Sequence, residues 1–97
     1  MKICYLGNDY FLECLKNIYM SSNEIIYVFA DNTDNEFVFN DQIKSFCCLN
    51  NIPIIEEKIS KNQVEGLIFE GNCDLLISAG YSSHIPVIDD LRYRAIN

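Results

Sequence analysis

The stretch that decides the fold is Cys73–Asn97, which reads CDLLISAGYSSHIPVIDDLRYRAIN. Its first part, residues 75–77, is continuously apolar, as a strand buried on both faces of a sheet requires. Small residues, Ser78 to Gly80, end this run. A backbone lined by small residues allows a ligand to approach closely, so the pattern predicts a buried strand whose end can lie against a ligand.

The second half of this stretch predicts a loop, a short helix and the beginning of another strand. Pro86 turns the chain. Asp89 and Asp90 then give the helix predicted at residues 91–94 an acidic first turn, which suits the helix dipole. Ala95, Ile96 and Asn97 have the pattern of a strand that is just beginning. We therefore expect a chain that is truncated at the start of its fifth strand.

Upstream of Cys73, apolar strand patterns alternate with helical patterns. The strands are predicted at residues 3–6, 24–30 and 52–55, and the helices at 10–20, 36–50 and 62–70. Pro53 lacks an N–H group, which places the third strand near an edge of the sheet. Strands separated by helices of this length form βαβ units. The sequence therefore predicts an α/β fold, an open parallel Rossmann-like sheet, in one domain over residues 1–97.

The amino-acid composition limits the kinds of molecule that the chain is expected to bind. The chain has 97 residues, and its 7 basic and 14 acidic side chains give a formal charge of −7. This charge repels nucleic-acid phosphate, so direct binding of DNA is not expected. The apolar run at the N-terminus is broken within the first residues, Met1 to Gly7, far short of a signal peptide or a membrane span. We expect a cytoplasmic protein without a membrane segment.

The cysteines predict neither disulfides nor a metal centre. There are five, at positions 4, 14, 47, 48 and 73, and no C-x-x-C pair occurs among them. An odd number of cysteines scattered through apolar segments is typical of small buried thiols in a reducing compartment. No metal constellation is visible in the sequence.

Ligands of an open parallel sheet bind beyond the carboxyl ends of its strands. The turn after the first strand holds one glycine, Gly7, so the G-x-G-x-x-G dinucleotide fingerprint is absent, as is a Walker-type G-K-[ST]. His84 is the only histidine and follows two serines, but adjacent residues rarely point at each other, and we interpret it as a loop residue or part of a pocket wall. We interpret Asp89 and Asp90 as helix-capping groups rather than an acid/base pair.

The run from Asp74 to Pro86, followed by AIN at residues 95–97, resembles the N-terminal Rossmann-type half of folate-dependent formyltransferases. That family includes methionyl-tRNA formyltransferase, glycinamide ribonucleotide formyltransferase and the N-formyltransferases of nucleotide-linked amino sugars. KICYLGN at residues 2–8 and EIIYVFA at residues 24–30 resemble the first two strands of the family. The resemblance therefore covers nearly the whole chain.

The resemblance implies a site for 10-formyltetrahydrofolate after the fourth strand. In the family this segment lines the pterin pocket, largely through backbone groups. The matching residues here are Ala79, Gly80, Tyr81, Ser82, Ser83, His84 and Ile85. The catalytic signature of the family is an Asn, one further residue and a His, with an Asp farther on, and Asn97 matches that Asn. We therefore expect a fragment that is inactive alone, and His84 is not assigned to the missing catalytic role.

By this resemblance the complete protein transfers a formyl group from 10-formyltetrahydrofolate to an amine. The excess of acidic over basic side chains favours a small amine as the acceptor, such as an amino sugar on a nucleotide. The alternative is methionyl-tRNA formyltransferase. An alternative from another class is a non-enzymatic flavodoxin-like or receiver-like binding module. A receiver domain needs an acidic pair after its first strand and an Asp at the tip of its third. Here Asn8 and Asp9 follow the first strand, and Glu56 and Glu57 follow the third, which is a poor match.

Overall fold

The structure, a computed structural model, describes residues 1–31, 39–69, 73–81, 85–86 and 95–96. Its strands are β1 (Lys2–Gly7), β2 (Glu24–Phe29), β3 (Ile54–Ile55), β4 (Leu75–Ala79) and β5 (Ala95–Ile96). Its helices are α1 (Leu12–Met20), α2 (Asp41–Leu49) and α3 (Lys61–Phe69), and a short 3-10 turn, Asp9–Phe11, precedes α1. Strands and helices thus alternate along the chain, as the sequence predicts.

The strands form one parallel sheet in the order β3-β2-β1-β4-β5. This arrangement confirms the prediction of an α/β, Rossmann-like open sheet. The position of β3 at one edge confirms the expectation drawn from Pro53, which lies just before that strand. The Pro53 carbonyl accepts a hydrogen bond from the Val28 N–H at 2.9 Å. The strand predicted at the chain end is also present, since Ala95 and Ile96 pair with Leu76 and Ile77 of β4.

Two apolar clusters cover the two faces of this sheet, and β1 contributes to both. Ile3 and Tyr5 belong to the first core cluster, whereas Cys4 and Leu6 belong to the second. The first core cluster also holds Leu12 and Leu15 of α1 and Ile43 and Cys47 of α2, and the second holds Val64 and Leu67 of α3. A central strand buried on both faces reads as a continuous apolar run, which is the pattern that ICYL shows in the sequence.

A register shift in β2 places two successive side chains against the same cluster. Ile3 pairs with Ile25, but the next residue, Cys4, pairs with Tyr27, so Ile26 is skipped. Ile26 and Tyr27 both pack against the second core cluster, and the alternation resumes at Val28. Such a bulge re-aims the remainder of a strand, and here it sets which side chains reach the carboxyl end of β2.

Several predicted boundaries were wrong by a few residues. The helix predicted from Tyr10 begins at Leu12, because the side chain of Asn8 accepts a hydrogen bond from the Tyr10 N–H and stabilises a 3-10 turn first. The strand predicted at residues 52–55 is confined to Ile54–Ile55. Helix α2 begins at Asp41, and the first part of its predicted range, residues 36–38, lies outside the described residues. The helix predicted at residues 91–94, with Asp89 and Asp90 before it, also lies outside them.

The expectation that the thiols are buried was wrong for two of the cysteines. Cys4, Cys47 and Cys73 are buried, but Cys14 and Cys48 are exposed. Neighbouring residues of an α-helix differ by about 100° in direction, so Cys47 and Cys48 cannot both face the core. Burial raises the pKa of the Cys47 thiol to about 11, which keeps it protonated and unreactive.

Candidate functional site

The order of the strands defines a crevice at the carboxyl edge of the sheet. From β1 the chain proceeds to β2 and β3 on one side, and then crosses to β4 and β5 on the other. The strand order therefore reverses between β1 and β4. At the end of these two strands Gly7 pairs with Ala79. In open α/β sheets ligands bind at such a switch point, beyond the carboxyl ends of the strands.

Asn8 connects the two sides of this crevice. Its Nδ2 donates a hydrogen bond to the carbonyl oxygen of Gly80 at 2.7 Å, and its Oδ1 accepts one from the Tyr10 N–H at 2.9 Å. The side chain is only 5% exposed. A buried amide that uses both its oxygen and its nitrogen is fixed in orientation, so the turn after β1 and the loop after β4 are held together.

Glycines are required at two positions of the crevice. Gly80 has a φ of +75°, a left-handed conformation that costs little only for glycine. A Cβ atom at Gly80 would lie 2.9 Å from Cδ2 of the Phe11 ring. A Cβ atom at Gly7 would lie 3.0 Å from the carbonyl oxygen of Ala79. The small residues that the sequence places here therefore serve the close approach of β1, β4 and the 3-10 turn to one another.

The structure describes four of the seven residues predicted to bind the folate. Ala79 is partly buried and packs against the first core cluster, while Gly80 is exposed. Tyr81 and Ile85 pack against the second core cluster. The side chains of Ala79, Tyr81 and Ile85 are therefore used in packing. Three predicted residues, Ser82, Ser83 and His84, lie outside the described residues, as does the predicted catalytic residue Asn97.

The hydroxyl of Tyr81 is also engaged within the protein. It accepts a hydrogen bond from the Ile59 N–H at 3.0 Å. Burial raises the pKa of Tyr81, the negative charge of Asp31 raises it further, and the Ile59 N–H opposes the shift. Tyr81 therefore stays protonated at neutral pH and ties the loop after β4 to the segment that leads into α3.

Asp31 and Asn40 lie beyond the carboxyl end of β2. Asp31 is 4% exposed, and its carbonyl oxygen accepts a hydrogen bond from Nδ2 of Asn40 at 2.9 Å. Within the described part of the chain, Oδ1 of Asn40 is buried and has no hydrogen-bond partner. Sequence reasoning singled out neither Asp31 nor Asn40, because no short motif links the two.

Exposed aromatic rings border the crevice. Tyr10 is 81% exposed and Phe11 is 48% exposed, and their ring centroids lie 5.4 Å apart with planes tilted by 58°. Phe39 is also exposed, and its carbonyl oxygen accepts a hydrogen bond from the Asp9 N–H at 2.8 Å, which fixes its backbone beside the 3-10 turn. Aromatic faces of this kind can stack on a planar ligand.

Asp9 caps a helix that begins far along the sequence. Its Oδ1 accepts a hydrogen bond from the Ile43 N–H at 2.8 Å, and its Oδ2 accepts one from the Gln42 N–H at 3.1 Å. Asn40, at the N-cap position of α2, makes no capping hydrogen bond with its side chain. The carboxylate of Asp9 therefore satisfies first-turn N–H groups of α2 and also complements the helix dipole.

Replacing Asp9 with alanine is expected to lower the free energy of unfolding by about 1–2 kcal/mol, because α2 loses its cap. The measurement is urea denaturation at neutral pH. The control is Glu57→Ala, which removes an exposed carboxylate and is expected to change stability by less than about 0.5 kcal/mol. Equal effects of the two substitutions would contradict a capping role for Asp9.

A separate cavity of about 390 Å³ lies between α1 and α2. Residues of these two helices line it: Leu12, Lys16, Asp41, Gln42, Ser45, Phe46 and Leu49. No strand end contributes to this lining, so the cavity is distinct from the crevice between β1 and β4.

In the parts of the chain that the structure describes, no three His, Cys, Asp or Glu side chains are grouped so that they could hold a metal ion. No helix among the described residues is long and apolar enough to cross a membrane. Comparison with protein-family models and with curated proteins found no match to this chain.

Proposed function

We propose that this chain supplies the donor pocket of a formyltransferase that moves a formyl group from 10-formyltetrahydrofolate to an amine. The observation that carries the proposal is the position of Gly80, at the switch-point crevice and held there by Asn8. Open α/β sheets bind their ligands at this point. The loop that begins at Gly80 is also the segment whose sequence resembles the pterin-binding segment of the family.

The packing of the Tyr81 and Ile85 side chains supports a pocket formed by backbone groups. Both side chains pack against the second core cluster and so fix the backbone of these two residues. A fixed backbone keeps its N–H and C=O groups in fixed directions, which reduces the entropy lost on binding. A pterin ring presents several hydrogen-bond donors and acceptors in one plane, and fixed backbone groups can match them.

In the proposed reaction the amine nitrogen attacks the formyl carbon and forms a C–N bond. The carbonyl electrons move to oxygen, which gives a tetrahedral oxyanion. Its collapse breaks the bond between the formyl carbon and N10 of the folate. N10 gains a proton, and the attacking amine loses one. The side-chain amide of Asn97 is proposed to donate a hydrogen bond to the oxyanion. Asn97 directly follows Ile96, which pairs with Ile77 of β4.

The acceptor that we propose is an amino sugar linked to a nucleotide. The formal charge of −7 disfavours a large polyanion such as tRNA. The exposed rings of Tyr10, Phe11 and Phe39 beside the crevice offer stacking faces for a small planar group.

Calorimetric titration with 5-formyltetrahydrofolate, which does not transfer its formyl group readily, tests the donor pocket. We expect saturable binding to the 97-residue chain. Biotin, a bicyclic carboxylic acid that is neither a pterin nor a nucleotide, serves as the control ligand and is expected not to bind. A lack of folate binding at millimolar concentration, or equal binding of biotin, would contradict the proposal.

Replacing Asn97 with alanine in the complete gene product is expected to lower turnover at least ~10-fold, because the oxyanion loses a donor. Asn62→Ala, at an exposed position of α3, is the control and is expected to leave turnover unchanged. Unchanged turnover in the Asn97 variant would overturn its role. In a gene that continues beyond Asn97, one further residue, a His and then a Leu-Leu-Pro run would support the enzyme, and other residues would favour a binding module.

A further inference from the structure

We propose that Asn8 is a positioning residue that orients the Gly80–Tyr81 peptide, so that the Tyr81 N–H is presented to the ligand of the predicted pocket. This inference rests on the proposed function for the identity of the ligand. The positioning itself rests on two hydrogen bonds of the buried Asn8 amide, at 2.7 Å to the Gly80 carbonyl and at 2.9 Å from the Tyr10 N–H.

The geometry of the peptide bond links the direction of the Gly80 carbonyl to the direction of the Tyr81 N–H. In a trans peptide the C=O and N–H groups point in opposite directions. The Gly80 carbonyl points at Asn8. The N–H of Tyr81, in the same peptide plane, therefore points away from Asn8. Among the described residues, no backbone carbonyl accepts a hydrogen bond from the Tyr81 N–H, and this is the donor that the proposal assigns to the ligand.

The turn that holds Asn8 is itself anchored in the core. The hydroxyl of Tyr5, a fully buried residue, donates a hydrogen bond to the carbonyl oxygen of Phe11 at 3.0 Å. The Phe11 ring in turn lies against Gly80. Asn8 is thus held from one side by its bond to Tyr10 and from the other by a turn fixed to β1. A group supported in this way can impose a direction on a flexible glycine.

A positioning role of Asn8 can be distinguished from a role in stability alone, because Gly80 is exposed. Water can satisfy its carbonyl when the Asn8 amide is removed, and the peptide then becomes free to rotate. Glycine offers the least resistance to that rotation. Loss of the bond from Asn8 should therefore weaken ligand binding even in chains that remain folded.

The Asn8→Asp substitution gives a test with a defined dependence on pH. The introduced carboxyl can still accept the Tyr10 N–H. It can donate to the Gly80 carbonyl only when it is protonated, and as a carboxylate it repels that oxygen. Burial and this donated hydrogen bond both favour the protonated form, so its pKa is expected to lie above the usual Asp value. The hydrogen bond to Gly80 should therefore be present at low pH and lost as the pH rises through that pKa.

The experiment measures the affinity of the chain for 5-formyltetrahydrofolate from about pH 5 to pH 8. At the highest pH of this range, we expect the Asn8→Asp variant to bind the folate about 10-fold more weakly than the original chain does. At the lowest pH, we expect the two affinities to be nearly equal. Asn17→Asp, which introduces the same charge at an exposed position of α1, is the control and should follow the original chain. The pH profile of the original chain also corrects for the titration of other groups on the elements that meet at Asn8: Lys2, Cys4, Tyr5, Asp9, Tyr10 and Tyr81.

A second readout needs no ligand. The NMR resonance of the Tyr81 N–H should shift with pH in the Asn8→Asp variant and stay constant in the Asn17→Asp variant. If the original chain binds no folate, the proposed function fails, and the resonance alone decides the role of Asn8. A pH-independent resonance in the Asn8→Asp variant, or a pH-independent loss of affinity in it, would overturn the positioning role.

Discussion

Replacing Phe29 with alanine is expected to lower the free energy of unfolding by about 3–5 kcal/mol. Phe29 is the last residue of β2 and is 1% exposed. Its ring lies in the second core cluster, beside Tyr27, with the two ring centroids 6.4 Å apart. Alanine would leave a cavity that the surrounding strands and α3 can close only in part. A loss of this size is a large fraction of the stability of a small domain.

The control for this prediction is Phe39→Ala, which makes the same chemical change at a residue that is 62% exposed. We expect it to alter stability by less than about 0.5 kcal/mol. Urea denaturation should show a lower midpoint for Phe29→Ala with an unchanged slope. Similar midpoints for the two variants would mean that the second core cluster is not packed as described.

Replacing Gly80 with alanine is expected to lower the free energy of unfolding by about 2–3 kcal/mol. The left-handed conformation of this residue, with φ at +75°, disfavours every side chain. The added Cβ would also lie 2.9 Å from Cδ2 of Phe11. Because the Phe11 ring is half exposed and can move outward, the conformational cost is expected to be the larger part. Adding Phe11→Ala to Gly80→Ala should therefore recover less than half of the loss.

Gly66→Ala is a matched control that should act in the opposite direction. Gly66 lies inside α3, and a Cβ atom built there would have nothing within 4 Å. Alanine in a helix interior is more stable than glycine by about 0.5–1 kcal/mol. Thermal unfolding of the two variants should therefore show a lower midpoint for Gly80→Ala and a higher one for Gly66→Ala. A neutral or stabilising Gly80→Ala would rule out the described conformation of the crevice.

Sequence patterns were sufficient for the architecture because the fold uses strong local signals. Continuous apolar runs identified β1, β2 and β4, and the missing N–H of Pro53 placed β3 at an edge. The sequence patterns predicted the ends of the helices and strands less well. The 3-10 turn before α1 depends on one hydrogen bond from the Tyr10 N–H to Asn8, which competes with helix formation.

The contacts that build the crevice could not be predicted from the sequence. Asn8 and Asp9 follow the first strand in the sequence, but no local pattern shows which distant groups they contact. The bond of Asn8 to Gly80 joins residues 72 positions apart. The carboxylate of Asp9 caps α2, and its bond to Ile43 spans 34 positions. Local propensity describes what a side chain can do, and the sheet order decides which distant backbone group it meets.

The central position of β1 has a consequence for synthesis of the protein. This strand leaves the ribosome before β2, β3, β4 and β5, yet one of its two neighbours, β4, is formed by Leu75–Ala79. Until those residues emerge, one row of backbone N–H and C=O groups on β1 has no ladder partner, and Cys4 lacks its neighbour Leu76. An apolar strand with an open edge is a target for association with other chains. The nascent chain therefore exposes this open edge of β1 until Leu75–Ala79 have emerged and paired with it.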